Sequence, residues 1–235
     1  MDIQQIKPLR FSFPIGRLFQ TQLRMHGTFV VFLIWIAADQ FHSGGWNRAA
    51  WGVGFMCLVF ACVVLHEFGH VLAARGFGIR TPDITLLPIG GVAHLERIPE
   101  APREEIIVAI AGPVVSALLS LIFWSAHGFQ PVDVQHQPDS LMELIGTLAA
   151  VNGGLLFFNL IPAFPMDGGR VFRALLGFKI PHLEATRVAA AVGKFIALLM
   201  AGLGIMVPMP MLVLLGMFIY SSAKREAELA EFRTP

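Results

Sequence analysis

Apolar residues fall along this chain in long unbroken blocks, and six of them approach or exceed the roughly 20 helical residues that a hydrocarbon core requires. The blocks are Gly27–Phe41, Trp46–Ala74, Ile106–Ala126, Leu144–Pro162, Val188–Met206 and Met209–Ala223. Pro208 and Pro210 predict a turn between the last two. Two other segments have a different rhythm. Phe11–Met25 (FSFPIGRLFQTQLRM) predicts two short strands around Gly16, and Ile84–Leu95 (ITLLPIGGVAHL) predicts a strand, a Gly90-Gly91 turn and a second strand. The expected fold is an all-α polytopic membrane protein of six transmembrane helices with a small cytoplasmic membrane-associated β-sheet. The expected segments are a cytoplasmic N-terminal stretch 1–26, a membrane domain 27–223 with core helices about 46–74, 106–126 and 144–162, and a cytoplasmic tail 224–235.

Composition agrees with that pattern. Of 235 residues 55% are hydrophobic and only 14% charged, against about 25% charged in soluble domains. The 17 Lys+Arg and 16 Asp+Glu nearly cancel, which excludes a nucleic-acid footprint, and the hydrophobicity excludes disorder. Cys57 and Cys62, the two cysteines, are five residues apart and point about 140° away from each other on a helix, so no disulfide is expected. The first 22 residues contain Pro8 and Pro14 and no continuous apolar stretch, so the first membrane helix is expected to act as the insertion signal. Positive residues sort the loops. All of the 17 except Arg48 fall on one side of the six-span arrangement, from Lys7 and Arg10 through Arg75 and Arg80 to Arg170, Arg173 and the tail. By the positive-inside rule both termini are cytoplasmic.

The second block contains His66-Glu67-Phe68-Gly69-His70, an HExxH. On a helix, positions i and i+4 share a face, so two imidazoles can hold one zinc while the intervening glutamate reaches an activated water. At this chain's own residue frequencies about 0.02 such matches arise by chance. Ionisable groups inside a membrane span are costly and mark function. A catalytic zinc takes a third protein ligand. Glu143 opens the fourth block on the opposite side of the membrane and is disfavoured. Asp167 follows the cytoplasmic end of that block, in NLIPAFPMDGGR, where Pro162 and Pro165 end the helix and Gly168-Gly169 permits close or left-handed backbone. Asp167 is the expected third ligand. Its competing role is the N-cap of a helix over Arg170–Leu176, and Glu104 and Glu105 stay open as substitutes.

Taken in order, HEFGH, Ala111-Gly112-Pro113 and NLIPAFPMDGGR resemble the site-2 protease family of intramembrane zinc metalloproteases, peptidase family M50. GRLFQTQLRMHGTF and Pro88-Ile-Gly-Gly-Val-Ala also resemble that family's N-terminal and loop patterns. The resemblance implies a three-helix core, one zinc per chain held by His66, His70 and Asp167, Glu67 as general base and Asn159 as the motif asparagine. Asn152, seven residues earlier, shares the helical face of Asn159. Implied partners are transmembrane-helix protein substrates and membrane lipid, in the cell membrane of a prokaryote. The oligomeric state, the substrate and the cleavage position are not implied. Ser116 stands where the family often has Asn, and His94 is an unexpected loop imidazole; neither is expected to touch the zinc set. No PDZ or CBS segment is expected. Two other classes fit part of the pattern: a metal-ion permease using the same ligands, and an inactive membrane scaffold that binds client helices.

Overall fold

The computed structural model describes residues 9–97, 99, 101–133, 138 and 140–233. Lys7 and Pro8 lie outside these, as do the rest of 1–8 and residues 234–235. The elements run β1 (Ser12–Leu18), β2 (Thr21–His26), α1 (Gly27–Gly76), β3 (Asp83–Leu87), β4 (Gly90–His94), α2 (Pro102–Ala126), α3 (Leu141–Asn159), α4 (Asp167–Gly177), α5 (His182–Met206) and α6 (Pro210–Arg233). Among the described residues, α1, α2, α3 and α5 are long and apolar enough to cross a membrane, by length and composition. Large apolar side chains along them, such as Trp35, Leu118 and Phe195, are exposed, which suits a lipid surrounding better than water.

α1 is continuous only in name. Gly44 and Gly45 leave the helical region, and Gly45 takes φ +73°, a left-handed value that disfavours any Cβ. Phe29 before the break packs edge-on against Phe60 after it, 4.4 Å between ring centroids, so the two arms run out and back. They correspond to the first two apolar blocks. The last block lies in α6, whose second half carries Lys224, Arg225, Glu226, Glu228 and Glu231. Arg187 and Lys194 belong to α5 itself rather than to a connecting loop.

The chain forms two compact units, Met1–Arg97 with Val114–Gly154, and Ile98–Pro113 with Leu155–Pro235. The first unit holds a four-stranded sheet in the order β1-β2-β3-β4. β1 and β2 are antiparallel, as are β3 and β4, while β2 and β3 are parallel, with α1 as the crossover between them. Both turns differ from expectation. The β1–β2 turn is Phe19-Gln20, both with left-handed backbone, and Gly16 instead sits beside a register irregularity within β1. The β3–β4 turn is Pro88-Ile89, because Leu87 pairs with Gly90; Gly90-Gly91 therefore begin β4. Proline in the first turn position and glycine just after the second favour that tight connection. Phe68, Val71 and Ile84 are buried between α1 and the sheet, and the partly buried Leu23, Val64 and Ala93 pack against them. Nearer the start of that arm of α1, Cys62 packs with Leu144 and Leu148.

In the second unit the connection after α3 is held by small residues on the last two helices. Ala163 and Met166 pack with Ala197 and Ile219, and Phe164 packs with Ala189, Ala190 and Ala223. Close approach explains the alanines: α5 and α6 leave room for that connection between them only where side chains are short.

Candidate metal centre

The first unit carries the HExxH on the second arm of α1. His66 and His70 are buried, at 3% and 6% exposure. Successive turns bring their Nε2 atoms to 3.2 Å, close to the edge of about 3.3 Å expected of a tetrahedron with zinc–nitrogen bonds of 2.0–2.1 Å. The Nδ1 atom of His66 is 2.8 Å from Ser116 Oγ on α2. When that Nδ1 carries its proton, it donates to the hydroxyl and Nε2 keeps its lone pair, the tautomer a metal ligand needs. This corrects the expectation for Ser116: the serine does touch the candidate ligand set, through His66. Two buried imidazoles turned nitrogen to nitrogen are a donor set that fits zinc.

Glu67 lies under the sheet. A Cβ added to Gly91 on β4 would stand 2.7 Å from Glu67 Cγ, so only glycine lets the strand lie directly on this side chain. The local sequence, in which Gly90-Gly91 predicts a turn, carries no sign of that role, since the contact depends on how β4 docks. His94 has a different partner. Its Nδ1 is 3.2 Å from Asp83 Oδ2, which also accepts from Thr85 Oγ1 at 3.2 Å, so the imidazole serves the β3–β4 pairing.

In the second unit, Asp167 is buried and is the first residue of α4. The N-cap position belongs to Met166, so Asp167 is the first residue inside α4 and not its N-cap. A Cβ on Gly168 would meet Leu160 O at 2.3 Å, and one on Gly169 would meet Ala163 C at 2.7 Å. The two glycines are there for close approach, not for left-handed backbone. Arg173, one and a half turns on, is 1% exposed. Its Nε donates to Glu105 Oε1 at 2.8 Å, its Nη1 donates to Glu226 Oε1 at 2.7 Å, and its guanidinium lies 5.1 Å from the Phe164 ring centre. Glu105, kept open as a substitute ligand, is thus the buried partner of Arg173. Adjacent Glu104 and Glu105 look alike in sequence, and only the fold distinguishes them.

Asn159, the last residue of α3, turns its Nδ2 back onto Leu155 O at 3.0 Å. In the first unit Asn152 does the same toward Leu148 O at 2.8 Å, fully buried, with no hydrogen-bond partner for its Oδ1 among the described residues.

The model of peptidase family M50 matches residues 54–140 and 129–200. A zinc metalloprotease of Methanocaldococcus jannaschii is 36% identical over 226 residues, covering 96% of this chain and 63% of that protein. Stage IV sporulation protein FB of Bacillus subtilis is 33% identical over 154 residues, covering 63% of this chain and 50% of that one. The chain therefore spans between half and two thirds of the length of these two curated relatives. The solved site-2 protease from Methanocaldococcus jannaschii matches with a TM-score of 0.67 and 35% identity, over 92% of this chain and 95% of that one.

Proposed function

Because the chain belongs to peptidase family M50, the site-2 protease family, we propose that it is an intramembrane zinc metalloprotease, hydrolysing peptide bonds within or next to transmembrane segments of membrane-tethered substrate proteins. The observation that carries this reading is the buried His66–His70 pair, nitrogen to nitrogen at 3.2 Å inside an apolar helix, with Glu67 between them in sequence. The proposed ligands are His66, His70 and Asp167, each of them buried within its own unit. Zinc bound by them supplies polarisation of the scissile carbonyl and acidification of the attacking water. Glu67 takes a proton from that water and passes it to the leaving amine nitrogen. Asn159 exchanges its bond to Leu155 O for one to the substrate backbone. A helical substrate must unwind locally first, since its carbonyls are otherwise internally bonded.

The membrane arrangement proposed is six spans within 27–223, the glycine break in α1 separating the first two and α6 supplying the last. Both termini and the candidate metal centre then face the cytoplasm of a prokaryotic cell, on the side that holds sixteen of 17 Lys+Arg. A permease or an inactive scaffold is not favoured, because neither needs a glutamate between the two histidines.

The test compares membrane-protein fragments by peptide mass spectrometry in cells whose one copy is wild type or Glu67→Gln. New termini inside membrane helices, present only with Glu67, establish the protease and name its substrates. Purified Glu67→Gln is expected to retain zinc and lose turnover, whereas Asp167→Ala loses zinc as well. Full zinc occupancy in Asp167→Ala would remove that residue from the ligand set.

A further inference from the structure

The first unit holds a second polar site, away from the histidines. A cavity of about 280 Å³ opens where α1 ends, lined by Arg17 of β1, Phe19 of the β1–β2 turn, Arg75 of the last turn of α1, and Arg80 and Thr81 leading into β3. Among the described residues, Glu96 is the one carboxylate on its wall. Three guanidinium groups thus face one acid, and none of the three is in an ion pair among the described residues. Arg75 is held in place by donating from Nη1 to Phe19 O at 3.3 Å.

Thr81 supplies an independent sign. It is 5% exposed, yet its Oγ1 has no hydrogen-bond partner among the described residues, and a buried hydroxyl left unsatisfied is costly. Its own carbonyl is already used, accepting from Thr21 Oγ1 at 2.9 Å. A polar handle left open beside three unpaired guanidinium groups is what a site for an oxygen-rich anion provides.

We propose that this cavity binds a phosphate-bearing anion, held by Arg17, Arg75 and Arg80 with the Thr81 hydroxyl as a further donor. Phosphate is favoured over a carboxylate because it offers more oxygens and more charge to planar guanidinium forks. The phosphate can come from the headgroup of an anionic phospholipid, since α1 is apolar enough to cross a membrane and ends at the cavity, or from a soluble phosphate ester.

The experiment uses the full chain purified in neutral detergent or reconstituted in nanodiscs. One arm titrates inorganic phosphate. The other compares nanodiscs of phosphatidylcholine with and without phosphatidylglycerol, reading the rise in Tm and the phospholipid retained by native mass spectrometry. Saturable binding is expected in at least one arm, phosphate alone pointing to a soluble source and phosphatidylglycerol alone to a headgroup. Arg17→Gln and Arg80→Gln should each weaken binding about tenfold, the loss of one charge-assisted hydrogen bond. Both side chains are exposed, so the ligand-free Tm should stay where it is. Thr81→Val, nearly isosteric, should weaken binding severalfold. Arg225→Gln, on α6 and outside the cavity, removes the same charge and should change nothing. The proposal is overturned by no saturable binding in either arm, or by Arg225→Gln weakening it as much as the cavity variants do.

Discussion

Gly91 is the residue at which backbone packing bears most directly on the proposed chemistry. Gly91→Ala would force the Glu67 side chain aside, because the new Cβ stands 2.7 Å from Cγ. A misplacement near 1 Å costs on the order of 10²-fold in rate, so cleavage should fall by about that factor with zinc content unchanged. Gly54→Ala, on the same helix as Glu67 with open space around it, is the matched variant and should cleave normally. Ser116→Ala removes the partner of His66 Nδ1. Supporting hydrogen bonds of this kind are worth about 10–100-fold in metal affinity, a loss that competition with a chromophoric chelator would read. His66, Glu67 and His70 were legible in the sequence because helical spacing alone puts i and i+4 on one face. Gly91 and Ser116 were not, since each acquires its role by approaching α1 from another element, 24 residues beyond Glu67 in one case and 50 beyond His66 in the other.

At the scale of elements, Arg173 ties together parts of the second unit that are far apart in sequence: α4, the start of α2 through Glu105, and α6 through Glu226. Removing the arginine leaves Glu105, 3% exposed, as an uncompensated buried charge. Arg173→Met is expected to destabilise by about 3–5 kcal/mol. Adding Glu105→Gln should recover part of that loss, a non-additivity visible in thermal denaturation of the single and double variants. Glu226→Gln should cost less, because that carboxylate is 27% exposed. The apolar stretches of α1, α2 and α3 were readable to within four residues because burial in hydrocarbon imposes a length and a composition together, whereas α5 starts six residues before its expected block and α6 runs ten residues past its own, on polar turns that hydropathy does not register. The turns were not: Phe19-Gln20 adopts left-handed backbone without a glycine, against local preference, and the conspicuous Gly90-Gly91 pair serves packing instead.

For the molecule as a whole, stability and proposed activity are linked through the metal. A ligand bound only by the folded state adds about 2.7 kcal/mol at a hundredfold excess over its Kd. Chelation should therefore lower Tm and abolish cleavage together, and zinc should restore both. Calorimetry and cleavage assays on one preparation would check this. A loss of activity without a fall in Tm would mean that the metal contributes nothing to holding the fold.

The parallel pairing of β2 with β3 carries a consequence for biogenesis. Each hairpin alone is a two-stranded ribbon, marginal in water, and the pairing that joins them, Gln22 with Asp83 through Met25 with Leu86, spans all of α1. The four-stranded sheet therefore cannot exist until both arms of α1 have been threaded out and back. Until then β4 has no docked sheet to rest on, and Gly91 cannot settle against Glu67. The newborn chain is thus expected to leave the ribosome with its glutamate unsheltered, and completion of the sheet becomes the event that marks the first helical pair as correctly inserted.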